Sequence, residues 1–106
     1  MVDLKHDIIF ARQAAEARNI WVVIVVPEQL YATANQVLAA VTPENLFSGR
    51  TALYDEGGKV TLMRGSDDLL GDNPFEVMLL GWGNNEDNMG MTQWRKRATA
   101  ELRRIP

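Results

Sequence analysis

The sequence predicts a small three-layer α/β sandwich: a single domain over residues 1–106, with a mixed, mostly parallel sheet of about four strands and a central β-hairpin. Three observations carry that expectation. Residues 20–26 and 75–80 are two apolar runs that hardly alternate with polar residues, the habit of strands buried on both faces. The segments around them repeat apolar residues at helical spacing, and helices must cover both faces of such a sheet. Between the runs, Gly57-Gly58 separates two segments of strand-like composition.

In chain order, residues 3–18 read as an amphipathic helix. Asp3 can cap it, Leu4, Ile8, Ala11 and Ala15 share one stripe, and Asn19 tolerates the left-handed conformation that ends a helix. The alanines on its inner face allow close approach to a sheet. Residues 20–26 are mostly β-branched, and Pro27 stops that strand and suits the first turn of the next helix. Leu30, Ala34, Val37, Leu38 and Val41 make a second stripe, after which Thr42 is placed to cap a short turn through Pro43, Glu44 and Asn45. The hairpin pairs residues 51–56 with 59–64, which sets Glu56 opposite Lys59 and Leu53 opposite Leu62. Residues 66–71 read as one helical turn, with Ser66 as cap and Asp67 and Asp68 at its positive end. The strand at 75–80 passes into a glycine- and asparagine-rich loop, 81–90. Thr92 is then placed to cap a final helix that carries Trp94, Ala98, Leu102 and Ile105 in one stripe, four, four and three residues apart.

Composition narrows the function classes. A chain of 106 residues with 46% hydrophobic and 24% charged residues suits one globular core. The absence of cysteine excludes a disulfide framework, a thiolate metal site and a cysteine nucleophile, and suits a reducing compartment. Asp3 and Asp7 stand where a signal peptide carries only positive charge, and the run at 20–26 is too short to span a bilayer. The expectation is a cytoplasmic protein with no membrane partner. Net charge is −3, unevenly placed: the last fourteen residues carry +4 and the rest −7.

In open α/β sheets, ligands bind beyond the carboxyl ends of the strands, which directs attention to the 81–90 loop. Trp82, Gly83, Asn84, Glu86 and Asp87 are the candidate binding residues for a partner or ligand. Trp82 between two glycines suits an interface anchor, although packing beneath the loop explains it equally well. Glu86 and Asp87 could ligate a hard cation, but their spacing matches no calcium loop, and a solvated connection competes with that reading. The lone His6 cannot build a zinc site, and Ser48 and Ser66 lack a nucleophile elbow. Neither phosphate-loop pattern occurs: Gly81-Trp82-Gly83 begins the dinucleotide pattern, but Glu86 stands where its third glycine belongs. No catalytic residue, metal site or cofactor is therefore assigned. A second candidate surface is basic, through Arg95, Lys96, Arg97, Arg103 and Arg104, and points to nucleic acid. Cations that complement a helix end explain it as well, and the −7 elsewhere repels phosphate.

One family resemblance can be stated on particular residues. Ala14-Ala15-Glu16-Ala17-Arg18-Asn19, leading through the 20–26 strand to Pro27, resembles the helix–strand–proline passage of RecA-like helicase and terminase motor domains. Gly58-Lys59-Val60-Thr61-Leu62-Met63-Arg64-Gly65-Ser66-Asp67-Asp68-Leu69-Leu70-Gly71, followed by the 75–80 strand, is similar to their hairpin, turn and Walker B strand. The likeness covers about two thirds of the chain. There is no Walker A segment, and Gly81-Trp82 stands where the Walker B acids belong. The resemblance thus implies a non-hydrolysing relic or mimic of a motor core, of the kind small phage or mobile-element proteins represent.

The resulting expectation is a small non-catalytic interaction or regulatory module whose partner is another protein, a second copy of the chain included. Nucleic-acid or nucleotide binding, through the basic helix and the 81–90 loop, is the alternative. A metal-dependent hydrolase using Glu86 and Asp87 comes third.

Overall fold

The computed structural model describes residues 3–54, 57–68, 71–83 and 89–103. Three helices and a six-stranded sheet follow in the order α1 (Leu4–Arg18), β1 (Trp21–Val26), α2 (Glu28–Ala40), a 3-10 turn (Glu44–Leu46), β2 (Phe47–Ser48), β3 (Thr51–Leu53), β4 (Lys59–Arg64), β5 (Glu76–Leu79), α3 (Met89–Arg97) and β6 (Ala100–Glu101). The sheet order is β2-β3-β4-β1-β5-β6. β4, β1, β5 and β6 run parallel, and the β2–β3–β4 meander is antiparallel. The expected mixed, mostly parallel sheet is present, but it has six strands where about four were expected. The two extra strands are two-residue edges, too short to leave a periodic signal.

β1 is the centre of the sandwich. Val22, Ile24 and Val26 face α1 and α2, where they join Ile8, Ala11, Ala15, Ala34 and Leu38. Val23 and Val25 face the other way, against Val77, Leu79, Met91 and Trp94 beneath α3. α1 forms for the reasons expected. Asp3 accepts a hydrogen bond from the His6 backbone N–H, and its carboxylate also meets the His6 imidazole. Asn19 closes α1 at φ 53°, ψ 45°, so its backbone stands in the left-handed region where asparagine is tolerated.

The hairpin differs from its expected register. Thr51 faces Thr61, Ala52 faces Val60, and Leu53 faces Lys59. Tyr54 N–H donates to the Gly58 carbonyl, so Gly58 closes the hairpin loop just before β4 instead of forming its tip. It lies there against α1: a Cβ on Gly58 would lie 2.2 Å from the Ala15 carbonyl oxygen. The three-residue offset reverses the faces, and it leaves Leu53 55% exposed. Glu56, the other half of the expected charge pair, lies outside the described residues.

Three further expectations are corrected. Residues 66–68 form no helical turn: Gly65 and Ser66 are the central residues of a tight turn closed by Asp67 N–H on the Arg64 carbonyl at 3.0 Å, and the Asp67 carboxylate accepts from the Arg64 backbone N–H at 2.9 Å. Leu69 and Leu70 lie outside the described residues. Thr42 does not cap the 3-10 turn, and its buried hydroxyl instead approaches Tyr54 Oη at 3.5 Å. The last helix starts at Met89, before Thr92, and ends at Arg97. Thr99 and Leu102 N–H groups then donate to the Phe75 and Val77 carbonyls, an edge pairing that outcompetes the helical stripe. Ile105 lies outside the described residues.

Two outcomes follow. Gly58→Ala is expected to lower stability by about 1–3 kcal/mol in urea unfolding, because the α1 backbone must move to admit the methyl group. Burial raises the Tyr54 hydroxyl above its ordinary pKa of 10.0, outweighing the Thr42 hydrogen bond and Arg12, which lower it. Its contribution to stability is therefore fully present below pH 10 and is lost as pH rises through the elevated folded value. Unfolding free energy should fall less steeply above pH 10 in Tyr54→Phe than in the parent protein.

Candidate functional site

The sheet's connections define one place where a ligand would ordinarily sit. The chain leaves β1 through α2 toward β4, and leaves β5 through α3 toward β6, on the opposite face. The crevice between the carboxyl ends of β1 and β5 is thus the switch point of the sheet.

That crevice is filled by the protein itself. Trp82 Nε1 donates to the Val25 carbonyl at 3.0 Å, beside the Leu80 N–H that donates to the same oxygen at 3.1 Å. The indole lies over Gly65, where a Cβ would come within 2.6 Å of its ring. On the α2 side, Leu30 closes on Gly81, whose Cβ would meet the Leu30 side chain at 2.2 Å, with Pro27 at 3.3 Å. Gly81 stands at φ +82° and Gly83 at φ +57°, so the chain turns sharply while its side-chain-free backbone admits Leu30.

Trp82 is therefore half-buried and packs against the α3-side core, the second of its two expected roles. Gly83 follows it in an exposed position. Asn84, Glu86 and Asp87 lie outside the described residues. The basic residues fall in two settings. Arg95 Nε meets Glu101 Oε1 at 3.0 Å, and Arg103 Nη2 meets Glu101 Oε2 at 2.8 Å. Lys96 and Arg97 are exposed on the last turn of α3. Arg104 lies outside the described residues.

Two shallow depressions flank the filled crevice. On the α3 side, Ser66, Asp67, Asp68, Gln93, Trp94 and Arg97 are among the residues around a depression of about 230 Å³. Trp94 Nε1 donates to the Gly65 carbonyl at its floor, at 3.1 Å. On the α2 side, Tyr31, Asn35, Gln36, Gly49, Arg50 and Arg64 line an open depression of about 660 Å³. Behind it, Asp67 Oδ2 accepts from Arg50 Nη1 at 3.0 Å and lies 3.9 Å from Arg64 Nη1. The Arg64 guanidinium stacks 3.8 Å above the Tyr31 ring centroid and pairs with Glu28.

This α2-side cluster escaped sequence reasoning. Its residues come from α2, from the turn before β3 and from the end of β4, and no local spacing connects them. The one available signal was the pair of arginines, Arg50 after a glycine and Arg64 at a strand end. Among the described residues, no three histidine, aspartate or glutamate side chains converge as metal ligands, and no helix is long and apolar enough to cross a membrane. No protein-family model, curated protein or solved structure matches this chain.

Replacing the crevice plug has a calculable effect. Trp82→Phe keeps most of the packing and loses one hydrogen bond, a change of about 0.5–1.5 kcal/mol, since Leu80 still satisfies the Val25 oxygen. Trp82→Ala also opens a void and should cost about 2–4 kcal/mol, discounted from a fully buried aromatic. Thermal and urea unfolding of the two variants measure the difference.

Proposed function

We propose that this chain is a non-catalytic interaction module that binds another protein through the carboxyl end of its sheet. One observation carries the reading: the switch-point crevice, where an α/β sheet ordinarily holds a small ligand, contains the protein's own Trp82 and Leu30 side chains. Partner recognition then falls to the surface around that plug, including Gly83 and the two shoulder depressions. The motor-core resemblance belongs to the same proposal: a relative of such a core, with Gly81-Trp82 in place of the acids, retains a docking surface without hydrolysis. A cytoplasmic setting and a phage-like origin are part of this reading.

The nucleic-acid alternative draws less support, because Glu101 takes both Arg95 and Arg103 and weakens the positive field around Lys96 and Arg97.

Site-specific photocrosslinking in cells of the source organism tests the proposal. A benzophenone side chain at exposed Ser66, on the carboxyl end, should give a discrete adduct with one protein. The same group at Asp72, which precedes β5, should not. Equal adducts from both positions, or none from Ser66, would defeat the reading. Saturable binding of a fluorescent ATP analogue with magnesium, accompanied by turnover, would defeat it independently.

A further inference from the structure

The α2-side depression differs from the rest of this acidic protein. Its lining contains two charged residues, Arg50 and Arg64, and no carboxylate, whereas the whole chain carries −3. Both guanidiniums are held in place. Asp67 Oδ2 receives Arg50 Nη1 and the Arg64 backbone N–H, and the Tyr31 ring supports the Arg64 plane. Asp67 is partly buried, with 23% side-chain exposure, and acts as a fixed orienting group. Glu28 is different. Its side chain is 72% exposed, so its pairing with Arg64 is the exchangeable kind that contributes little to stability.

From this arrangement we propose that the depression receives a phosphorylated serine or threonine side chain of the protein partner. The proposal rests on the partner-binding reading above and names the chemistry of the partner. A monoanionic carboxylate would only exchange like for like with Glu28, which is tethered beside Arg64 at high effective concentration. A phosphomonoester carries nearly two negative charges at neutral pH and three acceptor oxygens, one charge and one oxygen more than the Glu28 carboxylate it would displace, while Asp67 keeps its place behind the two guanidiniums. Asn35 and Gln36 also line the depression: Asn35 Nδ2 donates to the Gly49 carbonyl at 3.1 Å and fixes that rim, and the exposed Gln36 amide can meet a peptide backbone. The site is open rather than enclosed, which suits a group presented on a chain over a small molecule that must be engulfed. At the rim, Gly49 stands at φ +63° with nothing within 4 Å of its Cβ position, leaving room for an extended segment.

The intact protein can be titrated with N-acetyl-phosphoserine amide, N-acetyl-serine amide and inorganic phosphate, following the backbone amide resonances of Tyr31, Asn35, Gly49 and Arg50. Saturable shifts are expected with the phosphoserine derivative and none with its unphosphorylated form. Inorganic phosphate should bind more weakly. Arg50→Gln should weaken binding about tenfold or more, as loss of a charge-assisted pair does. Two exposed substitutions that spare the fold give opposite signs: Glu28→Gln should tighten binding about threefold by removing the competitor, and Gln36→Glu should weaken it by a similar factor. Absence of saturable shifts at these amides, an unchanged affinity in Glu28→Gln, or equal affinity for inorganic phosphate would each overturn the proposal. If Arg50→Gln still yields the Ser66 crosslink in full, this assignment fails while the partner-binding reading stands.

Discussion

From Val22 to Val26, every side chain of β1 is fully buried, with alternate residues facing α1 and α2 or facing α3. Both backbone edges of the strand are taken as well, by β4 on one side and β5 on the other. Burying side chains of this size contributes about 1.5–3 kcal/mol each, against a net stability of about 5–15 kcal/mol for an ordinary domain. The two helical layers are joined through this one strand, α1 and α2 packing on Val22, Ile24 and Val26 and α3 on the side of Val23 and Val25. The ion pair of Arg18 with the largely buried Glu76, between the end of α1 and the start of β5, keeps the one acid in this region satisfied.

The same strand governs the site. Its last carbonyls reach the crevice, and the Val25 oxygen accepts both the β5 extension and the Trp82 indole. β1 then passes directly into α2 through Pro27, with no glycine-rich loop whose N–H groups could wrap a phosphate. Under the proposed reading, side chains at the sheet's carboxyl end would meet a partner from the shoulders. On the α2 shoulder, the arginines depend on Asp67, which the tight turn after β4 holds in place. Rigid supports of this kind let a small surface be selective, since little order is lost on binding.

Much of this architecture was legible because its signals are local. The 20–26 and 75–80 runs could only be strands covered on both faces, and the α1 cap residues Asp3 and Asn19 act in the structure as their chemistry suggests. What was not legible was set by distant contacts. Gly58 suits the tip of a turn by composition, but it lies against the Ala15 carbonyl at the entry to β4, and the hairpin register is shifted. The stripe from Trp94 to Leu102 suits one helix, yet the unpaired edge of β5 draws Thr99 and Leu102 into strand pairing. Trp82 could be read as exposed anchor or as packing, and only the Gly65 and Val25 contacts decide for packing. The Arg50–Asp67–Arg64–Tyr31 cluster draws on three separate segments, so nothing in any one of them announced it.

The two outermost strands have a consequence for how copies of this chain can meet. Among the described residues, β2 and β6 are each two residues long, so the sheet ends there in edges too short to template another strand. A continuous sheet running from one molecule into the next is therefore disfavoured. Where two copies do come together, side chains on the helical layers or at the carboxyl end must form the contact, and the sheet itself stays closed to growth.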